Sequence, residues 1–159
     1  MPLAWDDEIE AVLDGDMTAA LAYRTPAAGA VVQAVAPIGL HDRAAGTVGF
    51  TTSYGFSKKL DRIERDPRVA LAFHAREYGT ATSSAFVLAQ GRARVVRDEA
   101  AMARMRKLAV ERLGAPHRGR FWDFWLREYT AVRVPLYVDV ERIVAWPDLR
   151  CAGAPRVIG

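Results

Sequence analysis

Lys58 and Lys59 are adjacent and follow Ser57, where the sequence predicts that a helix begins. Ser57 is a favourable N-cap residue, and the N–H groups of a first helical turn carry the positive end of the helix dipole. Acidic residues usually occupy that turn, so two lysines there point to an anionic ligand, for which phosphate is the natural candidate. The alternative interpretation is a surface helix with two solvated lysines.

The neighbouring residues divide this stretch into a strand, a loop, the helix and a second strand. Residues 47–51 are β-branched and aromatic, which predicts a strand, and the polar residues 52–56 predict a loop. The helix begins after Ser57 and ends before Pro67, because the residue that precedes a proline disfavours helical geometry. Residues 68–73 are largely apolar and predict the second strand.

Three short motifs occur in a fixed order in this stretch: Phe50-Thr51, Ser57-Lys58-Lys59 and Asp66-Pro67. This ordered set resembles the flavin-site segment of the pyridoxamine 5′-phosphate oxidase-like split-barrel superfamily, which includes flavin and deazaflavin oxidoreductases. In that family an aromatic–Thr pair ends a strand beside the cofactor, and a Ser–basic–basic step opens a helix on the phosphate. The resemblance covers about residues 6–147.

The resemblance implies a flavin-dependent oxidoreductase that transfers hydride through bound FMN, or alternatively deazaflavin coenzyme F-420, to a small-molecule substrate. The residues that it places at the cofactor are Phe50, Thr51, Thr52, Ser57, Lys58 and Lys59. The lysines would hold the phosphate, the serine would assist at the helix start, and the threonines would contact the ribityl chain or ring edge. The resemblance also implies a homodimer with the cofactor site at the subunit interface. No side chain is assigned as a catalytic acid or base.

Two departures separate this chain from the true pyridoxamine phosphate oxidases. Those enzymes carry an Arg and a Lys on the strand that corresponds to residues 35–40, and this sequence has neither there. They also end in an Arg-His segment for the pyridoxal substrate, which this chain lacks. We therefore do not expect vitamin B6 oxidation, and F-420 is a close alternative to FMN.

The remaining elements predict a mostly β fold with flanking helices, a split β-barrel of six or seven antiparallel strands. Strands are predicted at 17–23, 31–35, 47–51, 68–73, 86–97, 131–138 and 140–146, and further helices at 6–14, 99–113 and 121–129. In strand 86–97, alternate residues are apolar, and Gly91 is expected to mark a bend or a close backbone approach. The tail from residue 148 is predicted to be irregular.

The composition is that of a soluble globular protein in a single domain, residues 1–159, with 51% hydrophobic and 26% charged residues. The net charge of +3 permits an anionic ligand without indicating nucleic acid. Cys151 is the only cysteine, which excludes an internal disulfide and favours the cytoplasm. No apolar run reaches the roughly 20 residues of a membrane span, so no membrane association is expected.

The other candidate sites are less specific. The histidines His41, His74 and His117 have no metal-ligand spacing, so no metal is expected. His74 follows a strand that would border the cofactor, where a substrate-side role competes with a solvated one. The aromatic residues of 121–129 favour core packing, with an active-site wall or a dimer contact as the second interpretation. Substrate contacts are expected from the loops 75–84 and 116–125.

Two alternatives to an oxidoreductase stay open. The first is a non-catalytic protein that binds a flavin or another small anion, which turnover with a reductant and an electron acceptor would separate from an enzyme. The second is a nucleic-acid-binding barrel, suggested by basic positions such as Arg104 and Lys107. These residues lie among acidic and apolar neighbours and are typical of an ordinary helix surface, so no nucleic-acid partner is expected.

Overall fold

A computed structural model describes residues 1–27, 29–74, 82–114 and 119–159, with only the backbone described at Gly114, Trp122 and Trp125. Its helices are α1 Asp7–Gly15, α2 Ser57–Arg65, α3 Glu99–Ala109, which continues in a π-helical turn Val110–Gly114, and α4 Arg120–Ala131. Its strands are β1 Ala19–Thr25, β2 Gly29–Val35, β3 His41–Asp42, β4 Thr47–Ser53, β5 Arg68–Phe73, β6 Phe86–Val95, β7 Arg133–Trp146 and β8 Arg156–Ile158. None of the helices within the described residues is long and apolar enough to cross a membrane.

The strands form one antiparallel sheet in the order β2-β1-β5-β6-β7-β4-β3, and β8 pairs with the outer part of β7. The sheet curls but does not close into a complete ring of paired strands. One isolated bridge joins its ends, where the Thr51 N–H donates to the Ala36 carbonyl at 2.8 Å. This arrangement confirms the predicted split β-barrel, with eight strands in the described residues instead of six or seven.

The barrel interior is filled by the alternate apolar residues of each strand, as strand geometry requires. Leu21, Phe50, Leu71, Leu136 and Ile143 are almost completely buried there. Helix α1 packs its apolar residues into the same core, and its N-cap is Asp6, whose carboxylate accepts from the Ile9 N–H at 3.1 Å. The predicted first helix is thus confirmed.

Four predicted elements differ from the structure, three at the C-terminal end and one in α3. The two final strands 131–138 and 140–146 are one strand, β7, because no turn residue interrupts the run at Asp139 and both halves pair with β6. The tail is not wholly irregular, since β8 pairs with β7 from Ile143 to Ala145. The helix predicted at 99–113 ends as an α-helix at Ala109 and finishes in the π-helical turn.

Gly91 marks a bulge in the pairing of β6 with β7, as the sequence predicts. The register shifts between Gln90 and Gly91, so Arg142 faces one and Val140 faces the other. A β-carbon at Gly91 would lie 2.1 Å from the Asp139 carbonyl oxygen, so only glycine fits this approach of two backbones.

Replacement of Gly91 by alanine is therefore expected to destabilise the protein by about 1–3 kcal/mol, because the backbones must separate to admit the methyl group. Urea unfolding followed by circular dichroism measures this change. Gly55→Ala is the matched control, since a β-carbon there would meet only the Ser53 hydroxyl at 3.4 Å. Equal stabilities of the two variants would contradict the close approach.

Candidate functional site

The N-terminus of α2 has no side-chain cap, unlike those of α1 and α3. Its N-cap residue is Phe56, and no side chain accepts a hydrogen bond from the first turn. The prediction of Ser57 as the N-cap is therefore wrong, because the helix begins one residue earlier and Ser57 is its first residue. The first turn also contains no acidic residue. The Lys59 N–H donates to the Phe56 carbonyl at 2.9 Å, so the Ser57 and Lys58 N–H groups and the helix dipole are available to an anion.

Lys59 is the most unusual residue of this turn, because most of its side chain is buried although it carries a charge. Its residue exposure is 5%, and its ammonium lies 4.6 Å from the centre of the Phe56 ring. Lys59 forms no ion pair with any other residue in the described ranges. Burial lowers the pKa of Lys59, and repulsion from Arg133 lowers it further. Lys58, in contrast, is exposed.

Arg133 is the second partly buried cation of the region, and it begins β7. Its Nε donates to the Thr51 hydroxyl at 2.8 Å, and a terminal nitrogen donates to the Thr51 carbonyl, also at 2.8 Å. The guanidinium lies 4.3 Å from the centre of the Tyr129 ring, and burial lowers the pKa of Arg133. These contacts fix the position of Arg133, and they occupy the Thr51 hydroxyl, which also lies 3.3 Å from the Tyr129 hydroxyl.

Phe50 and Thr52 face the opposite side of β4 from Thr51, because side chains alternate along a strand. Phe50 is fully buried in the barrel core. Thr52 is 2% exposed, and its buried hydroxyl has no hydrogen-bond partner within the described part of the chain. Thr52 also lies within β4, as does Ser53, so the predicted loop is shorter than 52–56.

The residues at the start of α2 line an open groove of about 280 Å³, which we call the lysine groove. Its lining residues are Tyr23, Gln33, Gly55, Phe56, Ser57, Lys58, Lys59 and Arg62. This volume lies just below the range of about 300–1,000 Å³ that small-molecule sites commonly have. Three of the six predicted cofactor residues meet in this groove, whereas Phe50, Thr51 and Thr52 do not line it.

Sequence reasoning missed Arg133, Tyr23, Gln33 and Arg62 as residues of this region. Arg133 is brought to Thr51 by the pairing of β4 with β7, in which Ser53 faces Arg133. Tyr23 and Gln33 reach the groove from β1 and β2. Such contacts depend on strand register, for which the sequence has no local motif. The sequence could have indicated Arg62, because it lies one helical turn after the two lysines.

The remaining candidates lie elsewhere or have structural partners. His41 Nε2 lies 2.9 Å from a Glu10 carboxylate oxygen, whose other oxygen accepts from the Trp5 indole at 2.6 Å. His74 is exposed and lies against Phe86, with ring centres 6.1 Å apart. No group of three or more His, Cys, Asp or Glu residues that could hold a metal occurs in the described ranges.

Several predictions fall on residues that the structure does not describe. His117 and half of the predicted substrate loops, residues 75–81 and 116–118, lie outside the described residues, as do the side chains of Trp122 and Trp125. Of the aromatic residues of α4, Phe121 and Phe124 are exposed at 67% and 55%, and Tyr129 contacts Arg133. The described part of this aromatic set is thus largely at the surface and not in the core.

Comparison with known proteins gives one family and a set of similar folds. Residues 5–144 match the family model described as pyridoxamine 5′-phosphate oxidase. No curated protein matches the chain. A conserved hypothetical protein from Mycobacterium tuberculosis is 22% identical with a TM-score of 0.68, and the match covers 97% of this chain and 91% of that one.

Two further solved structures with a similar fold are named as flavin-binding proteins. A pyridoxamine 5′-phosphate oxidase-related, FMN-binding protein from Nostoc punctiforme is 15% identical with a TM-score of 0.56, covering 89% of this chain and 78% of that one. A FAD-binding protein from Mesorhizobium loti is 18% identical with a TM-score of 0.54, covering 84% and 88%. At these identities the likeness shows a shared fold.

The unpaired Lys59 ammonium is expected to destabilise the ligand-free protein, because a buried charge without a partner is unfavourable. Lys59→Met keeps an unbranched side chain that is one heavy atom shorter and removes the charge, so it should raise the free energy of unfolding by about 1 kcal/mol or more at neutral pH. Urea unfolding without added ligand measures the difference. Lys58→Met, at an exposed position, should change stability by less than about 0.5 kcal/mol.

The difference in stability between Lys59→Met and the parent protein should change with pH in one direction. The pKa of Lys59 is lowered from its ordinary value of 10.5, so the unfolded chain holds this proton to higher pH than the folded protein. The stability of the unsubstituted protein should therefore rise relative to Lys59→Met as the pH increases from the lowered pKa to 10.5. A variant less stable than the parent protein at neutral pH would show that Lys59 has a stabilising partner.

Proposed function

The chain belongs to the pyridoxamine 5′-phosphate oxidase family, and on that premise we propose that it binds a flavin through its phosphate in the lysine groove and acts as an oxidoreductase. The cofactor is FMN or deazaflavin F-420, both of which attach a phosphate to the chain that carries the ring system. A bound flavin supplies hydride chemistry at its own ring, while the protein binds and orients it. The substrate is a small molecule.

The observation that carries this proposal is the burial of Lys59 without a counter-ion. Buried charges in proteins are normally paired, because desolvation of an isolated ammonium is very unfavourable. Lys59 lies near a second partly buried cation, Arg133, which increases the unfavourable energy. A bound phosphate reverses the sign of both effects, since it pairs with the ammonium and offsets the repulsion. The site is therefore complementary to an anion.

Different residues of the groove can bind different parts of such a ligand. The first-turn N–H groups of α2 and the Lys59 ammonium meet a phosphate from the buried side, and Lys58 meets it from the solvent side. Ser57 adds a hydroxyl at the same helix start. Gln33 and Tyr23 offer polar groups from the opposite wall of the groove, where the less charged part of the ligand would lie.

Arg133 is proposed to position β4 for this site. Its two hydrogen bonds to Thr51 and its contact with Tyr129 join the start of β7, the end of β4 and α4. Its positive charge also favours an anion nearby. In this arrangement Thr51 supports the cofactor site through Arg133, and its hydroxyl is engaged before any ligand binds.

We also propose that the protein is a homodimer, and the outer face of the sheet supports this. One row of residues runs across six strands in register, and all its members are apolar: Ala34, Ala20, Ala72, Leu88, Val144 and Val157. In the next row Val32 is 66% exposed and faces Ala22, which faces Ala70. Small apolar side chains on such a face allow two sheets to approach closely.

A second copy of this chain fits the outer face better than an unrelated partner, because the outer face lies next to the lysine groove. Val32 and Ala34 flank Gln33 on β2, and Gln33 lines the lysine groove. A partner on the outer face would therefore lie beside the groove and extend its wall. A symmetric pair places the same apolar row on both sides of the contact, which is the geometry of a two-fold interface.

Binding of FMN and F-420, followed by absorption and calorimetric titration, tests the proposed cofactor. Lys58→Ala/Lys59→Ala should weaken binding of the cofactor at least about 100-fold, because two charge-assisted contacts to the phosphate are lost. Lys107→Ala/Arg150→Ala is the control, since both residues are exposed, lie outside the groove and remove the same charge. Equal weakening in both variants would indicate an unspecific charge effect.

Two results would distinguish the proposed flavin binding from the proposed oxidoreductase activity. If neither cofactor binds to the folded protein, the flavin function is wrong and Lys59 serves another anion. If one binds but no turnover occurs with a reductant and electron acceptors, the protein is a flavin-binding protein without oxidoreductase activity.

The homodimer is tested by analytical ultracentrifugation. Ala34→Arg places a charge on the outer face at a position that is exposed in one chain, so folding should be retained and the dimer should dissociate. Val110→Arg adds the same charge at a residue that is 49% exposed in the π-helical turn, and this variant should stay dimeric. A monomeric parent protein at micromolar concentration would refute the homodimer.

A further inference from the structure

A separate pocket lies between the start of α3 and the hairpin of β3 and β4, and we call it the α3 pocket. Its volume is about 330 Å³, slightly larger than that of the lysine groove. Four charged residues and one buried phenol line it: Asp42, Arg94, Asp98, Arg104 and Tyr137. The described linings of the two cavities have no residue in common, so a ligand of the α3 pocket is independent of the proposed flavin function.

Strand β4 gives the distance between the two cavities. Thr47 begins this strand and lines the α3 pocket, whereas Ser53 ends it just before the loop that leads to the lysine groove. Six residue steps of about 3.3 Å place these two ends about 20 Å apart. The α3 pocket is therefore at the opposite end of β4 from the proposed cofactor phosphate.

Tyr137 is the residue around which the charges of the pocket are arranged. It is 7% exposed, and the Arg94 guanidinium lies 5.5 Å from the centre of its ring. Burial raises the pKa of Tyr137, the nearby Arg104 and Arg94 lower it in part, and Asp98 and Asp42 raise it. All four charged groups are thus close enough to act on one hydroxyl. This hydroxyl stays protonated at neutral pH and can donate a hydrogen bond to a ligand.

The two arginines of the pocket are only partly engaged by the protein. One terminal nitrogen of Arg104 donates to the His41 carbonyl at 2.7 Å, and Arg104 forms no ion pair with any described residue. Arg94 lies 3.4 Å from the carboxylate of Asp139, which is outside the described lining of the pocket. Each guanidinium has further N–H groups, and two such groups can bind a carboxylate through parallel hydrogen bonds.

The two carboxylates of the pocket each use one oxygen for a backbone N–H group. Asp42 accepts from the Ala45 N–H at 3.0 Å, and Asp98 accepts from the Ala101 N–H at 2.9 Å and so caps α3. Within the part of the chain that the structure describes, neither carboxylate forms an ion pair with a basic residue. The opposite charges of the pocket are therefore close to one hydroxyl without being paired to each other.

The balance of charge indicates the chemical class of the ligand. The described lining of the lysine groove has three basic residues and no acidic one, which favours an anion. The α3 pocket has two basic and two acidic residues, so an anion alone would be repelled by the carboxylates and a cation alone by the arginines. A small zwitterion satisfies both pairs. An α-amino acid is such a molecule, because its carboxylate and its ammonium are attached to the same carbon atom.

The uncharged part of the lining limits the side chain of such an amino acid. It includes the short apolar residues Ala45, Val96, Ala100 and Ala101. These side chains leave room for a ligand without supplying a polar group that could bind a polar side chain. A small apolar side chain therefore fits this wall best.

We propose that the α3 pocket binds an α-amino acid with a small apolar side chain, whose carboxylate pairs with Arg94 and Arg104 and whose ammonium pairs with Asp42 and Asp98. The Tyr137 hydroxyl donates to the same carboxylate from the floor of the pocket. A ligand bound in this way connects α3 with the hairpin of β3 and β4, because these elements supply three of the four charges.

Calorimetric titration of the full chain with L-valine, without added flavin, tests the site. Valine should bind saturably. Isovalerate, which lacks the ammonium, and isobutylamine, which lacks the carboxylate, should each bind at least about tenfold more weakly. L-alanine is titrated beside valine as a smaller zwitterion. Absence of saturable binding of both amino acids up to about 10 mM would refute the proposal.

Two variants remove one charge of each sign from the pocket. Arg104→Gln and Asp98→Asn change exposed residues, and asparagine is as good an N-cap as aspartate, so both should fold, which thermal unfolding by circular dichroism verifies. Each should weaken valine binding by about tenfold or more. A loss in Arg104→Gln alone would show that the pocket binds only an anion, and a loss in Asp98→Asn alone would show that it binds only a cation. Either result would overturn the proposed amino acid.

Lys107→Gln and Glu111→Gln are the matched controls, since they remove the same two charges from exposed residues outside the described lining of the pocket. Their mutual contact of 3.9 Å contributes little to stability, so both variants should fold and bind valine within about twofold of the parent protein. Losses equal to those of Arg104→Gln and Asp98→Asn would show that valine binds elsewhere and would refute the site.

Discussion

The unbroken pairing of β7 with strands on both of its sides is the constraint on which the rest of the structure depends. Its fourteen residues pair with β4 through the first half, with β6 through most of the strand and with β8 near the end. β7 pairs with three neighbouring strands, and the bulge opposite Gly91 bends it. The same pairing brings Arg133 to Thr51, so the register of one strand sets the geometry beside the lysine groove.

The second determining feature is electrostatic. Folding places Lys59, whose residue is 5% exposed, beside Arg133 and on the wall of the lysine groove. The repulsion between these two cations opposes folding, and the apolar core must offset it. Natural proteins retain unfavourable features of this kind where function requires them. The proposed anionic ligand would account for this feature, because it would offset the repulsion.

The local elements were predictable because their determinants are close in sequence. The limits of α2 follow from helical spacing and from Pro67, and the buried face of β6 follows from simple alternation. The continuity of β7 was missed because Asp139 was read as an interruption, although an exposed polar residue is ordinary on the outer side of a strand. Arg133 was missed because strand register, not local pattern, brings it to Thr51.

Within the described residues, one isolated bridge between Ala36 and Thr51 joins the two ends of the sheet. The lysine groove crosses this junction, because Tyr23 and Gln33 belong to strands on one side and the start of α2 follows β4 on the other. A molecule that fills the groove would therefore contact both ends of the sheet. It would add a non-covalent connection beside the single backbone bridge, and so it would stabilise the curled form of the sheet.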